Sequence, residues 1–498
     1  MTLSMLALEL GGERGGVRRF GEDVVVTDVQ QDSRAITGGE LFVSRPGSLD
    51  AARRARFLAD AAALGARAVL REAGAAEPCS LPRLEVPEEA LRAAIGVAAS
   101  AVHGHPSFAL EVLAVTGTNG KTTSTALVAD ALDRLEKPCA LIGTVGARLG
   151  AVARPTTHTT PEGDELARLL AWAHDQGAAC VAMEASSHAL EQRRLAGTRV
   201  HAAGFTNLTH DHLDYHATME AYFEAKRRLF VDLSPGTSVV AVDDPWGARL
   251  AAELGSSAFR VSVAPGRPAE LATRTVSFSA RGIEATLDVM GEVVHLRTGL
   301  LGAHNLQNLL VAFGLLLSVG VSARDAAGAL GHARSVRGRL ERASSLEDEP
   351  LVLVDYAHTP DALERVLVTL RPLTRGRLIC VFGCGGDRDV TKRPRMGDVV
   401  SRFADVAVVT SDNPRTEDAS AIVSQILEGM GEHAVRHVEV DRAQAIAWAV
   451  ADAKSVDTVL IAGKGHEDYQ IIGTEKRPFD DLVEAQQALA AWRAAWPR

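Results

Sequence analysis

The run Gly117-Thr-Asn-Gly-Lys-Thr-Thr123 sets two glycines, a lysine and several hydroxyls between an apolar stretch and a helical pattern. Leu113–Val115 reads as the end of a buried strand. Leu127, Val128, Ala131, Leu132 and Leu135 recur at helical spacing, so a helix is expected to begin at Lys121. Glycines at such a join let backbone N–H groups turn toward phosphate oxygens. Lys121 can neutralise charge on the β- and γ-phosphates, and the Thr122 hydroxyl can hold Mg²⁺. The motif is shorter than the usual G-x-x-x-x-G-K-T, because Val115 stands where the first glycine would be. A bare glycine turn is the bland alternative, but Gly-Lys-Thr directly at a helix start points to a nucleoside triphosphate.

Other groups suited to chemistry lie farther along. Glu184, in Met183-Glu-Ala-Ser-Ser-His188, could complete a Mg²⁺ shell begun by Thr122, although a lone glutamate at a strand end is more often structural. His210, Asp211, His212, Asp214 and His216 form a polar knot. Zinc is conceivable there, but beside a phosphate loop a second Mg²⁺ near Asp211 or His212 is the preferred reading. Lys226, inside a helical stretch, reads from its surroundings as a solvated lysine. Asn305 is either an adenine-reading amide or a helix cap, and Arg337-Gly-Arg339 could reach a γ-phosphate. Arg388 and Arg415 can each clamp a carboxylate, and Glu467 can take an ammonium. Together they suggest a pocket for an amino acid with extra negative charge.

The elements that must position these groups are short apolar strands alternating with helices. Up to about Pro106 the strands Asp23–Val29, Glu40–Val43 and Ala66–Leu70 accompany an Ala-rich helix near Ala55–Leu64, and His103-Gly-His-Pro106 reads as a linker. Then come Leu113–Val115, Ala140–Ile142, Cys180–Met183, Ala202–Phe205 and Ser238–Val242. After Arg337 follow Leu351–Val354, Leu378–Phe382, Val406–Val409 and Thr458–Ile461. This alternation marks an α/β protein with mostly parallel sheets covered by helices. Most of the polar motifs directly follow a strand, where ligands bind in open α/β sheets. With 498 residues and a prior of roughly 150 per domain, three domains are expected: 1–106, 107–336 and 337–498.

A net charge of −10 gives no global basic field for nucleic acid. Five cysteines without a C-x-x-C pair read as reduced thiols. The amino terminus lacks a basic signal-peptide region, and no apolar run is long enough to span a bilayer. The expectation is a soluble cytoplasmic protein, monomeric, with small-molecule partners and neither nucleic acid nor membrane.

Taken in order, Thr116–Thr123, Glu184–His188, Asp211–Asp214, Gly302–Asn308, Asp355–Asp361, Gly383–Arg388, Asp412–Arg415 and Gly463–Glu467 resemble the Mur ligases over essentially the whole chain. The resemblance implies a smaller amino-terminal α/β domain for a UDP-sugar, a central P-loop-type ATPase domain and a carboxyl-terminal Rossmann-like domain for the incoming amino acid. It implies an ATP-dependent acid–amino-acid ligase of peptidoglycan synthesis. Such an enzyme would join meso-2,6-diaminopimelate to UDP-N-acetylmuramoyl-L-alanyl-D-glutamate through an acyl phosphate. L-Lysine or L-ornithine is the alternative acceptor. A folylpolyglutamate synthetase-like ligase and a nucleotide-switch module are more distant alternatives.

The implied roles run residue by residue. Gly117, Thr118, Asn119, Gly120, Lys121, Thr122, Thr123, Asn305, Arg339 and Asp355 would bind the nucleotide. Ser33, Ser48, Thr159, Thr160, Ser186, Gln192 and Arg194 would hold the UDP-sugar dipeptide. Arg388, Asp412, Asn413, Pro414, Arg415, Gly463 and Glu467 would form the amino-acid pocket. Lys226 matches the lysine that these ligases carbamylate with CO₂. With Thr122, Glu184 and His212 it would surround Mg²⁺, and Lys121, Lys226 and His212 would carry catalysis.

Overall fold

In four strands of the carboxyl-terminal third nearly every residue is apolar, so both faces of the sheet need a cover. The computed structural model, which describes residues 1–45, 50–333, 335–345, 348–431 and 435–495, supplies one on each side. Leu353, Cys380, Phe382, Ala407, Val409 and Leu460 point into one buried core, while Val352, Val354, Ile379, Val381, Val408 and Ile461 point into a second. The sheet has six strands. Leu351–Asp355, Thr458–Ala462, Leu378–Phe382, Val406–Val409 and Val435–Val438 lie side by side and parallel, and a short antiparallel strand Glu341–Arg342 closes one edge. Asp355 is in register with Ala462, and Phe382 with Val409. The polar segments after these strands therefore open at one common edge.

The chain divides into two compact units. One comprises 1–274, 286–294 and 307–330; the other comprises 275–285, 295–306 and 331–498. The first contains a five-stranded sheet and most of an eleven-stranded one. Its five-stranded sheet runs Arg18–Phe20, Arg83–Val86, Ala68–Glu72, Leu41–Ser44, Val29–Gln30, around a core of Leu3, Leu6, Leu41, Val43, Leu70, Leu84 and Ile95. The expected strand over 23–29 shrinks to Val29–Gln30. Its polar side chains are engaged elsewhere instead: Asp28 accepts from the Val29 N–H at 2.7 Å and pairs with His103 at 2.9 Å, and Asp23 accepts from the distant Ser4 N–H at 2.8 Å. The unanticipated strand Arg83–Val86 alternates charge and apolarity. Glu85 pairs there with Arg71 at 2.8 Å and Arg83 at 3.0 Å, and this ion network hides the strand from a purely apolar reading.

At the heart of the eleven-stranded sheet lies Glu111–Thr116, flanked in parallel by Cys180–Glu184 and Ala202–Phe205. Cys139–Gly143 and Thr237–Ala241 come next on either side, also parallel. Further strands that periodicity did not reveal extend the edges: a hairpin, Gly146–Leu149 and Val152–Arg154, on one side, and Ala258–Ser262, Leu271–Ser279, Gly282–Val289 and Glu292–Thr298 on the other. Pairing places Glu184 beside Val115 and Phe205 beside Thr116. The phosphate-loop candidate, Glu184 and the Thr206–Asp214 segment consequently leave the sheet at the same level. Among the described residues no helix is long and apolar enough to cross a membrane, and all five cysteines are free thiols.

Candidate active site

The loop between Thr116 and Lys121 is held by its own unit before any ligand enters. The helix Lys121–Arg134 begins at the expected lysine. Gly117 adopts φ +148° and Gly120 φ +88°, and neither has room for a side chain. A Cβ on Gly117 would lie 1.9 Å from Thr206 Oγ1, and one on Gly120 would lie 2.1 Å from Asn308 Oδ1. The Thr118 N–H donates to the Asn207 carbonyl at 2.8 Å, and the Asn119 N–H to Asn207 Oδ1 at 3.1 Å. Lys121 Nζ curls back onto the Gly117 and Thr118 carbonyls, both at 2.9 Å. Val115 lies fully inside the strand, and its carbonyl accepts from the Ala185 N–H at 2.8 Å. Thr123 follows in the first turn of the helix.

Thr122 Oγ1 donates to Glu184 Oε2 at 2.9 Å, and Glu184 Oε1 accepts from the Thr144 N–H at 2.8 Å. Glu184 is 1% exposed and packs against Gly143, where a Cβ would lie 2.3 Å from Oε1. An alcohol and a buried carboxylate side by side beneath a phosphate loop are hard oxygen donors, which fits Mg²⁺. Among the described residues no three His, Cys, Asp or Glu side chains form a ready-made metal cluster.

Lys226 overturns the solvated-lysine reading. On the helix Met219–Val231 it shares an inward face with Tyr222, one turn earlier, and with Phe223, Leu229 and Phe230 nearby. It is 1% exposed, and its Nζ donates to the Gly117 carbonyl at 2.8 Å. Burial, reinforced by the nearby Lys121 charge, pushes its pKa well below the ordinary lysine value. His212 is half exposed, with φ +51°. Its ring stands edge-on to His188 at 5.0 Å and to Tyr222 at 6.1 Å. His216 is buried, accepting from or donating to Ser187 Oγ at 2.9 Å.

The dipeptide-binding candidates largely come together. Thr160 Oγ1 donates to the Glu184 carbonyl at 2.9 Å and accepts from the Ser186 N–H at 3.0 Å. Arg194 Nη1 donates to the Thr160 carbonyl at 2.8 Å, while Nη2 reaches Gln192 Oε1 at 2.9 Å. Thr159 meets Thr144 at 3.2 Å. Arg45, Arg92, Glu162, Gln192 and Arg194 line a small concavity here. The sequence pattern did not single out Arg45, Arg92 or Glu162, since isolated charges carry no periodic signal. Glu162 pairs with Arg194 at 2.9 Å and with Arg45 at 3.5 Å. Ser33 is buried in a short 3₁₀ turn capped by Asp32, and Ser48 lies outside the described residues.

The second unit holds the remaining candidates. Asn305 donates to the Leu301 carbonyl at 2.9 Å and is buried within its helix. Asp355 accepts from the Leu340 N–H at 2.7 Å and the Ala357 N–H at 2.9 Å, so it ties down the segment that carries Arg339. Burial raises its pKa. The Arg339 guanidinium lies 5.3 Å from the Tyr356 ring centre.

At the same sheet edge, Arg415 adopts φ +51°, and its Nη1 donates to the Gly386 carbonyl at 2.7 Å. Both Arg415 and Arg388 approach Gly385: a Cβ there would lie 3.0 Å from Arg415 Nη1 and 3.8 Å from Arg388 Cγ. Asn413 Nδ2 donates to Glu467 Oε2 at 2.9 Å, and Gly463 sits against Asp412. Pro414, between Asn413 and Arg415, is buried, and its carbonyl would lie 1.9 Å from a Cβ on Gly386. Two buried arginines without any motif signal support this arrangement. Arg393, fully buried, forks onto both Glu417 oxygens at 2.8 Å. Arg442, held by both oxygens of Asp481 at 2.7 Å, reaches the Ser411 and Ala462 carbonyls at 3.2 and 3.0 Å. In a motif search such arginines look like any others; their burial sets them apart.

A model of the Mur ligase middle domain matches residues 115–316, and a model described as "Mur ligase, glutamate ligase domain" matches 338–465. The UDP-N-acetylmuramoyl-L-alanyl-D-glutamate–2,6-diaminopimelate ligase of Synechococcus sp. (strain WH7803) is 47% identical over 483 residues, covering 95% of this chain and 96% of its own. The protein of the same name from Pseudomonas aeruginosa is 44% identical, with coverages of 94% and 96%. A solved structure under that name aligns with TM-score 0.74 at 34% identity, over 94% of this chain and 95% of its own. A Mycobacterium tuberculosis folylpolyglutamate synthase bound to ADP and AMPPCP shares the fold at TM-score 0.59 and 19% identity, over 82% and 95%.

Proposed function

Because the chain belongs to the Mur ligases, ATP-dependent amide-forming enzymes that use Mg²⁺, we propose that it joins meso-2,6-diaminopimelate to the D-glutamate carboxylate of UDP-N-acetylmuramoyl-L-alanyl-D-glutamate. The observation that carries the choice of acceptor is the pair Arg388 and Arg415 around Gly385, with Asp412 and Glu467 on the neighbouring loops. A diamino acid with two carboxylates has an anionic group for the arginines and an ammonium for the acids. L-Lysine and L-ornithine lack the distal carboxylate, and leaving an arginine unpaired once substrate covers it costs ~1–3 kcal/mol. In this reading residues 1–106 take the UDP-sugar, 107–336 the ATP and 337–498 the acceptor.

Bringing a carboxylate to a triphosphate sets two anions against each other. The phosphate-loop N–H groups and Lys121 offset charge on the β- and γ-phosphates, and Thr160, Ser186, Gln192 and Arg194 fix the dipeptide. The D-glutamate carboxylate displaces ADP from the γ-phosphorus, giving an acyl phosphate. The acceptor amine then attacks the carbonyl, and phosphate leaves with the bond made. Mg²⁺ would be held by Thr122 and Glu184, with His212 and a carbamate on Lys226 as further ligands, and supplies positive charge for the transferring phosphoryl group. The low pKa of Lys226 favours this modification, since only the neutral amine adds to CO₂.

The test is phosphate release. It should require the UDP-sugar dipeptide and an amino acid together, with kcat/KM highest for meso-diaminopimelate. Better turnover of L-lysine or L-ornithine would defeat the acceptor assignment. Phosphate release without either co-substrate would favour a nucleotide switch.

A further inference from the structure

Lys464 lies on the acceptor loops and takes no part in the reaction steps above. It is fully buried, on the turn after the strand Thr458–Ala462. Its ammonium has three hydrogens to place, and three pocket side chains surround it. Nζ donates to Asn413 Oδ1 at 3.1 Å and Glu467 Oε2 at 3.4 Å, and lies 3.5 Å from Asp412 Oδ1. The Asp412 oxygen has no hydrogen-bond partner of its own, so the Lys464 charge, with the Arg442 guanidinium nearby, compensates it. Asn413 is fixed in one orientation by the same contact. Its Oδ1 takes Lys464 and the Ile471 N–H at 2.9 Å, which turns Nδ2 toward Glu467. Beneath the cluster, Arg442 grips the carbonyls that precede Asp412 and Gly463.

We propose that Lys464 is a specificity-determining positioning residue: it holds Asp412, Asn413 and Glu467 in place and cancels one of the two acidic charges, so that the pocket suits an acceptor with two carboxylates. The proposal rests on the reading of this pocket as the acceptor site. Lys464 does not meet the acceptor, because Asp412, Asn413 and Glu467 stand around its ammonium. With the lysine neutralised, two acids would face one another with one cation fewer. An acceptor carrying an extra negative group would then be penalised, and one without it would be relatively favoured.

The experiment measures kcat and KM for ATP, the UDP-sugar dipeptide, meso-diaminopimelate and L-lysine in Lys464→Met, Lys464→Gln and Arg415→Ala. For both Lys464 variants the expected result is a rise in the diaminopimelate KM, a preference over L-lysine reduced about tenfold, and an ATP KM within about twofold of the parent. Equal losses for both acceptors, or losses shared with ATP, would overturn the proposal. So would failure of both variants to fold, which would make the lysine a folding element only. Arg415→Ala separates the two levels of the argument. If it leaves diaminopimelate use intact, the pocket assignment itself fails; if it alone impairs that use, only the role of Lys464 falls.

Discussion

Thr122 Oγ1 and Glu184 Oε2 lie 2.9 Å apart, joining the first helical turn after the phosphate loop to the end of the neighbouring strand. The pair brings an alcohol and a carboxylate from distant parts of the chain to one point. Glu184→Gln keeps the size but removes the charge, and Thr122→Val removes the hydroxyl. Each should lower kcat by about two orders of magnitude and raise the Mg²⁺ concentration needed for half-maximal rate. Titration of activity against Mg²⁺ checks this, and an unchanged Mg²⁺ dependence would count against the pair.

Lys226 should be equally sensitive, for a different reason. Lys226→Met and Lys226→Arg both remove an amine able to take up CO₂, and each should reduce turnover by about a hundredfold or more. Added short carboxylic acids should restore part of the rate in a smaller variant, Lys226→Ala. Mass spectrometry of the native protein under bicarbonate should find the carbamate adduct. Full activity in CO₂-depleted buffer would argue that the amine works unmodified.

Arg194 links the Thr160 carbonyl, Gln192 and Glu162. Arg194→Ala should raise KM for the UDP-sugar dipeptide about tenfold or more with little change in KM for diaminopimelate. Arg92→Ala, on the same concavity, should act in the same direction more weakly. Initial-rate measurements with each substrate varied in turn would reveal a contrary pattern.

Acid should loosen the support of the acceptor loops. The Arg393 guanidinium, with a further hydrogen bond from the Asp387 N–H, holds the Glu417 carboxyl down at about 2, against an ordinary 4.5. A depressed carboxylate adds stability above its unfolded value and loses it as pH falls through the folded one. The melting temperature of the parent should therefore exceed that of Glu417→Gln near neutral pH, with the gap closing between pH 4.5 and about 2. A constant gap across that window would contradict the pairing.

Strand burial and motif placement leave strong local marks in this chain. The phosphate loop, the central parallel strands and the four carboxyl-terminal strands could be read directly, since an uninterrupted apolar run followed by a polar turn marks the end of a buried strand. The burial of Lys226 could not, because its surroundings in sequence are charged; only the tertiary packing of Tyr222, Phe223 and Phe230 reveals it. Nor could the strand Arg83–Val86 or the buried cations Arg393, Arg442 and Lys464. Their partners lie far along the chain or come from several segments at once, so no periodicity reports them.

Val115 stands where the longer phosphate-binding motif has a glycine, and it remains part of the strand, tied to the Ala185 N–H. The free arc between sheet and helix is accordingly shorter. With Gly117 and Gly120 wedged against Thr206 and Asn308, few backbone dihedrals remain to be frozen when a triphosphate arrives. Most of the ordering entropy of a phosphate cradle, on the order of 1–2 kcal/mol per residue, has been met during folding. Nucleotide affinity here should thus depend less on loop closure than in proteins with the longer arc, and should fall off more gently as temperature rises.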